Sequence, residues 1–206
     1  MSQSRLISRL SAAVGRDVSR ETFERISCYV ALLREEAGRQ NLISPSTLDQ
    51  LWERHIIDCA QLVRFERYTG ASWADIGSGA GLPGVVVACL AEGQVCLIEP
   101  RRLRAEFLHK IVERLDLAAT VLPMKVERAS GRFETITARA VTRLADLLAL
   151  SSHLSTRNTV WALPKGKSAL MELAEARKQW QGVFHVEHSV TDPESRIIVA
   201  TGVARR

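Results

Sequence analysis

The chain has 206 residues, of which 46% are hydrophobic and 25% are charged, and its formal net charge is +5. This composition is typical of a folded globular protein and excludes an intrinsically disordered chain. The sequence contains no apolar run of about 18 residues and begins without the apolar core of a signal peptide, so we expect a cytoplasmic protein without a membrane partner.

The first 66 residues are predicted to form a helical extension, because their apolar residues recur at helical spacing. One apolar stripe covers residues 6–14. A second helix is predicted after Ser19, a residue type favoured as an N-cap, and ends at Gly38. A third helix is predicted from Ser44-Pro45, because proline is favoured at the first helical position.

From residue 72 onward, short β-branched runs alternate with helical segments, which predicts a mostly parallel sheet covered on both faces. The predicted strands are 72–76, 94–98, 119–124, 134–138 and 159–163, followed by an antiparallel hairpin of 185–190 and 196–202. The predicted helices are 85–90, 101–115, 144–153 and 168–180. We therefore expect an α/β protein with a seven-stranded Rossmann-like sheet, the fold of class I S-adenosylmethionine-dependent methyltransferases, over residues 67–206.

The segment from 75 to 84, DIGSGAGLPG, predicts a cofactor-binding loop between the first strand and its helix. Gly77, Gly79 and Gly81 permit positive φ and leave bare main chain at a helix N-terminus. A G-x-G-x-x-G pattern is also present, so a dinucleotide site and a purely structural turn remain alternatives. An acidic residue at the strand end, with the first glycine two positions later, favours S-adenosylmethionine.

Further candidate residues follow the next strands, at the edge where a doubly wound sheet binds its ligand. Glu99 is predicted to accept the ribose hydroxyls, with pairing to the arginines that follow it as the alternative. Val126 and Glu127 are predicted to flank the adenine, unless they form a plain surface turn.

The fourth strand ends in Thr-Ala-Arg-Ala, residues 137–140, instead of the Asn/Asp-Pro-Pro-Tyr type of tetrad used for exocyclic amines. Arg139 is predicted to hold the cofactor carboxylate or an RNA phosphate, with an ion pair to Asp75 or Asp146 as the structural alternative. Methyl transfer can proceed largely by alignment of the reactants. A target with a lone pair, such as guanine N7, needs no general base, and no catalytic residue is assigned.

Five motifs carry a family resemblance. They are NLIS at 41–44, RHIID at 54–58, the glycine loop at 75–84, Glu99-Pro100 with residues 104–108, and Arg139-Ala140. Over nearly the whole chain, these motifs resemble the small-subunit ribosomal RNA methyltransferase G family, also called glucose-inhibited division protein B.

The resemblance implies transfer of a methyl group from S-adenosyl-L-methionine to N7 of the guanine at nucleotide 527 of 16S rRNA, within the small ribosomal subunit. It also carries the cofactor contacts over by position to a set of residues in this sequence. These are Gly77, Leu82, Val126, Glu127 and Arg139.

His55 and Asp58 stand at helical spacing, so both side chains can lie on one face of the third helix. That face either docks the extension beside the cofactor loop or contacts RNA. His55, Arg139 and Lys165 are predicted to bind the substrate. The basic helix at 101–110, together with the lysines at 165 and 167, is predicted to form an RNA-facing rim or a merely solvated surface.

The four cysteines lack zinc-site spacing, which predicts free thiols and no metal. We expect a monomer whose partner is 16S rRNA. Two alternatives remain open on the sequence, namely an enzyme of the same fold acting on a small molecule or protein, and a nucleotide-responsive binding protein without catalysis.

Overall fold

The computed structural model describes residues 2–40, 42–44 and 49–206. Asn41 in the NLIS motif, and Pro45 and Leu48 of the predicted third helix, lie outside the described residues. Among the described residues, no helix combines the length and apolarity needed to cross a bilayer.

The extension is helical, as its apolar spacing predicts. Helix α1 covers Gln3–Val14, and helix α2 covers Arg20–Ala37. The Ser19 hydroxyl caps α2 by accepting the Thr22 N–H at 3.0 Å. The third helical segment is irregular, with a π-helix at Trp52–Ile57, α3 at Asp58–Ala60 and a 3₁₀ turn at Gln61–Phe65.

The strands are β1 Trp73–Ile76, β2 Val95–Ile98, β3 Ala119–Leu122, β4 Thr135–Thr137, β5 Val160–Lys165, β6 Trp180–His188 and β7 Arg196–Arg205. They form one seven-stranded sheet in the order β3-β2-β1-β4-β5-β7-β6, with β1 in the middle of the five parallel strands. The first five strands are parallel, and β7 runs antiparallel to both β5 and β6. The helices are α4 Gly84–Leu90, α5 Arg102–Arg114, α6 Leu144–Ser151 and α7 Ala169–Ala176. The predicted fold class is confirmed.

Two hydrophobic cores flank the sheet, because successive strand residues point to opposite faces. The first core lies between the sheet and helices α1, α2, α4 and α5, and it includes Leu10, Ile26 and Trp73. The second core lies under α6 and α7 and includes Ala74 and Trp161. The helical extension thus shares one continuous core with the centre of the sheet.

One predicted element is wrong at its end. The helix predicted over 168–180 stops at Ala176, and Trp180 begins β6 instead. Trp180, Phe184 and Val186 lie on one side of β6 and pack on the second core, so this stretch follows the alternation of a strand. The hairpin is consequently longer than predicted.

Three of the four tryptophans are buried, and Trp52 stacks on Phe23 with a centroid distance of 5.3 Å. The tryptophans therefore take part in packing within the protein. The four cysteines are free, as predicted.

Candidate active site

The glycine loop connects β1, the middle one of the five parallel strands, to α4. Gly77, Gly79 and Gly81 all have positive φ, at 68°, 56° and 94°. A Cβ on Gly77 would lie 2.7 Å from Cγ2 of Val141, and one on Gly81 would lie 2.6 Å from Cγ2 of Val85. Neither position has room for a side chain, so the loop presents bare main chain at the start of α4.

Glu99 holds this loop in place. Its Oε2 accepts the Gly79 N–H at 2.8 Å, and its Oε1 accepts the Arg101 N–H at 2.9 Å. The residue is only 3% exposed. Glu99 therefore binds the backbone at Arg101, and a carboxylate with roughly four acceptor positions still has capacity for further donors.

A tyrosine from the extension fixes the other side of the loop. The fully buried Tyr29 in α2 donates a hydrogen bond of 2.9 Å to the Ala80 carbonyl. Burial raises the pKa of Tyr29 well above its ordinary value, so the hydroxyl keeps its proton. The sequence did not predict this contact, because Tyr29 lies within an apolar helical stripe. The one available signal is that the hydroxyl of a buried tyrosine usually needs a polar partner.

Asp75 lies beneath the loop and is fully buried. Its Oδ2 accepts the Gly84 N–H at 2.9 Å, which joins the end of β1 to the first residue of α4. Its Oδ1 is buried without a hydrogen-bond partner in the described part of the chain. Burial raises the pKa of Asp75 to about 7, against an ordinary 3.8, and the hydrogen bond from Gly84 and the charge of Arg139 partly oppose that rise.

Arg139 lies two residues beyond β4 and contacts the extension. Its Nη1 is 3.2 Å from His55 Nδ1 and 3.8 Å from Asp58 Oδ2. Of the acidic residues, it is Asp58 that pairs with Arg139, and neither Asp75 nor Asp146 does so within the described chain. The face that His55 and Asp58 share therefore contacts Arg139, two residues beyond β4.

His55 is neutral at physiological pH. Burial, together with the charges of Arg139 and Arg54, lowers the pKa of His55 to about 4. Because a guanidinium has no acceptor, Nδ1 of the imidazole accepts from Arg139 and the ring proton resides on Nε2.

Lys165 is not an outward-facing cation, contrary to the predicted RNA-facing rim. Its Nζ donates to the Thr142 carbonyl at 2.9 Å and pairs with Glu172 Oε2 at 2.8 Å, with 10% of its side chain exposed. Lys165 and Arg139 nevertheless line one cavity of about 300 Å³ with Asp58. His55 lines an adjoining cleft of about 790 Å³, which also includes Arg139 and Asp58. The three predicted substrate residues thus line two cavities that share Asp58 and Arg139.

The structure constrains the roles of the remaining predicted cofactor residues, Leu82, Val126 and Glu127, less than that of Glu99. Leu82 is buried in the first core, so any contact with a ligand must use its main chain. Val126 and Glu127 form a 3₁₀ turn after β3, with Val126 packed against the second core and Glu127 exposed. This arrangement is compatible with either the adenine contact or the plain turn.

Cations surround the carboxyl edge of the sheet. Each connection after β2, β3, β4 and β5 carries at least one exposed lysine or arginine. These residues include Arg101 and Arg102 after β2, Lys125 and Arg128 after β3, Arg143 after β4 and Lys167 after β5. Within the described ranges, no group of His, Cys, Asp or Glu side chains is arranged to hold a metal ion.

The chain is similar in sequence to proteins of one family. The family model described as rRNA small subunit methyltransferase G matches residues 22–197. A protein of that name from Zymomonas mobilis subsp. mobilis is 47% identical over 195 residues, which cover 90% of this chain and 88% of the relative. Another, from Sphingopyxis alaskensis, is 46% identical over 187 residues, covering 89% and 80%.

Solved structures share the fold at low sequence identity. The ribosomal protein L11 methylase from Lactobacillus delbrueckii subsp. bulgaricus aligns with a TM-score of 0.57 and 13% identity, over 74% of this chain and 79% of that one. M. jannaschii TYW2 in complex with AdoMet aligns with a TM-score of 0.56 and 10% identity, over 80% and 78%.

Proposed function

The chain belongs to the rRNA small subunit methyltransferase G family, and on that premise we propose that it transfers a methyl group from S-adenosylmethionine to N7 of a guanine in 16S rRNA, at nucleotide 527. The observation that carries this proposal is the glycine loop at the end of β1, which the buried carboxylate of Glu99 holds through the Gly79 N–H. The family establishes an rRNA methyltransferase. The atom and the nucleotide are our inference.

The residues present fit an adenosyl cofactor. Gly77 and Gly81 keep the loop free of side chains, because a Cβ at either position would clash with Val141 or Val85, and the buried Asp75 Oδ1 beneath the same loop lacks a hydrogen-bond partner in the described chain. We assign the cofactor's main-chain contacts to the loop from Gly77 to Leu82, its ribose to Glu99, its adenine to Val126 and Glu127, and its carboxylate to Arg139. When bound, the cofactor supplies an electrophilic methyl group on a sulfonium.

The transfer moves no proton. A bound cofactor would supply the methyl group and guanine N7 its lone pair, while Glu99 and the glycine loop would hold the cofactor in place. Because N7 enters with a free lone pair, the chain needs only to align the two reactants. An arginine bidentate to guanine O6 and N7 would occupy that lone pair, so Arg139 belongs on a carboxylate or phosphate instead.

The neutral state of His55 is consistent with a transfer that needs no general base. With a pKa of about 4 and Nδ1 engaged by Arg139, the imidazole is a poor general base at neutral pH. We assign His55 to holding Arg139 and to lining the cleft of about 790 Å³, where we expect RNA to bind, and not to proton transfer.

The cations after β2 to β5 supply the RNA-binding surface. They stand at the same edge of the sheet as the glycine loop, so an RNA backbone held there brings its bases to the cofactor. Phosphate contacts of this kind make affinity fall steeply with salt. Binding to the small subunit is therefore expected to weaken between 50 and 200 mM salt, as is usual for such interfaces.

Methyl transfer to small subunits tests the proposal. Subunits from a strain lacking this modification are incubated with the protein and S-adenosylmethionine labelled on its methyl group, and the label is mapped by strand cleavage at N7-methylguanine. We expect one methyl group per subunit at nucleotide 527, and none on subunits in which that guanine is replaced by adenine. Absence of label in 16S rRNA would contradict the proposal.

Two other outcomes identify the alternatives. Label in a low-molecular-weight acceptor or a protein would indicate a different substrate for the same fold. Cofactor binding without turnover on any of these substrates would indicate a binding protein. Naked 16S rRNA run beside the assembled subunit determines which form is the substrate.

A further inference from the structure

Asp58 connects three parts of the molecule that are far apart in sequence. Its Oδ1 accepts hydrogen bonds from Gln61 Nε2 at 2.9 Å, Ser189 Oγ at 3.1 Å and Thr191 Oγ1 at 2.8 Å. Its Oδ2 faces the guanidinium of Arg139 at 3.8 Å. The carboxylate thus lies between the extension, the connection from β6 to β7, and the residue that follows β4.

The connection from β6 to β7 is held to the extension by a second set of bonds. Gln61 Oε1 accepts the Val190 N–H at 2.9 Å, while Gln61 Nε2 also donates to Ser189 Oγ at 3.0 Å. Gln61 is buried, at 2% exposed. These bonds fix the position of Asp58 from both sides, independently of Arg139.

Arg139 needs such a fixed partner. An arginine side chain carries about 2 kcal/mol of rotamer entropy, and its guanidinium lies in a cleft where 20% of the side chain is exposed. Asp58 on one side and His55 Nδ1 on the other define where that guanidinium stands. The 3.8 Å separation from Asp58 is longer than a hydrogen bond, so the carboxylate acts through its charge and leaves the guanidinium donors available for a ligand.

We propose that Asp58 is a positioning residue, which the β6–β7 connection holds through Ser189 and Thr191, and which in turn holds Arg139 for contact with the cofactor carboxylate or an RNA phosphate. This inference rests on the proposed function, because the role of Arg139 does. It assigns the hairpin connection to the active site, although that segment follows the glycine loop by more than a hundred residues.

A double-mutant cycle tests the proposal. Single-turnover methyl transfer to small subunits is measured for the wild type, Asp58→Asn, Arg139→Gln and the double variant. Asparagine retains an oxygen for Ser189 and Thr191 but removes the charge that faces Arg139. We expect Asp58→Asn to slow the wild type about tenfold and to have less than about a twofold effect once Arg139 is glutamine, because interacting residues are not additive.

The hairpin end of the network has a matched pair of variants. Thr191→Val removes the hydroxyl that donates to Asp58, whereas Thr191→Ser keeps it. We expect Thr191→Val to slow methyl transfer, Thr191→Ser to restore the wild-type rate, and the valine effect to disappear in the Arg139→Gln background. The control is Glu66→Gln, which removes the charge of a 3.7 Å ion pair with Arg16 elsewhere on the extension; it should leave the rate unchanged.

Urea unfolding of every variant separates positioning from folding. If Asp58→Asn and Arg139→Gln act additively, or if the loss of rate follows only the loss of stability, Asp58 does not act through Arg139 and the inference is wrong. A wild-type protein that methylates no ribosomal RNA refutes the proposed function instead. In that case, the same cycle measured on the dissociation constant of S-adenosylhomocysteine, or of the subunit, still decides whether Asp58 and Arg139 are coupled.

Discussion

Replacement of Glu99 by glutamine tests the centre of the site. The carboxylate accepts two backbone N–H groups, from Gly79 and Arg101, and it is almost completely buried. A glutamine side chain has the same shape but offers one oxygen and one NH₂ group. One of the two backbone donors then faces another donor, and leaving a buried donor unsatisfied costs about 1–3 kcal/mol. The free energy of unfolding of the ligand-free protein should fall by this amount.

Cofactor binding should fall further, because the same carboxylate is assigned to the ribose hydroxyls. Hydrogen bonds to a charged group contribute about 1.5–3 kcal/mol, which corresponds to a roughly 10- to 150-fold increase in the dissociation constant. Isothermal titration calorimetry with S-adenosylhomocysteine measures this dissociation constant. Glu106→Gln is the matched control, since Glu106 is exposed and pairs only locally with Arg102 at 2.8 Å. A Glu99→Gln protein that is folded and binds within twofold of the wild type would remove Glu99 from the ribose role.

Five further variants, at four positions, test other parts of the site. His55→Asn places an oxygen where Nδ1 accepts from Arg139, so it should retain more methyl-transfer activity than His55→Gln. Because the pKa of His55 is about 4, the methyl-transfer rate of the wild type should show no titration of this histidine between pH 6 and 8. Burial raises the pKa of Asp75 to about 7 against an ordinary 3.8, so the folded state binds a proton that the unfolded state has already lost. The wild type should therefore lose stability relative to Asp75→Asn as the pH rises from 4 to 7, and urea titrations at pH 5 and 8 measure the difference. Tyr29→Phe should cost about 1–3 kcal/mol of unfolding free energy in the same assay, because the buried carbonyl that its hydroxyl satisfies loses its partner. Gly79→Val should abolish cofactor binding in calorimetry, since φ there is 56°; retained binding would show that the ligand does not lie against this main chain.

The local parts of the site were predictable from the sequence. The strand, glycine loop and helix from β1 to α4 follow from residue types whose conformational preferences act over a few positions. The carboxyl-edge placement of Glu99 and Arg139 follows in the same way, because parallel strands end at one edge. The cofactor and substrate roles of these residues stay predictions.

The partners of those residues were not predictable. Asp58 and Arg139, like Tyr29 and Ala80, meet only after the extension has packed on the sheet, and nothing local to either residue encodes the contact. Lys165 shows the same limit, since the predicted strand stopped at 163 whereas β5 continues through Lys165, and the pairing of Lys165 with Glu172 was not predicted. The prediction of a helix through Trp180 was wrong because a short apolar run fits both the helical and the strand periodicity, and only the pairing with a neighbouring strand decides between them.

The hydroxyl of Tyr29 has a consequence for genetics. Because α2 donates this hydrogen bond to the glycine loop and packs in the same core as Ala80 and Leu82 of that loop, we expect damage to packing in the amino-terminal helices to alter the loop without any substitution in the loop itself. Inactivating substitutions would therefore be dispersed in the sequence but clustered in the structure. The cluster would include buried positions of α2, such as Ile26 and Leu33, as well as the loop glycines.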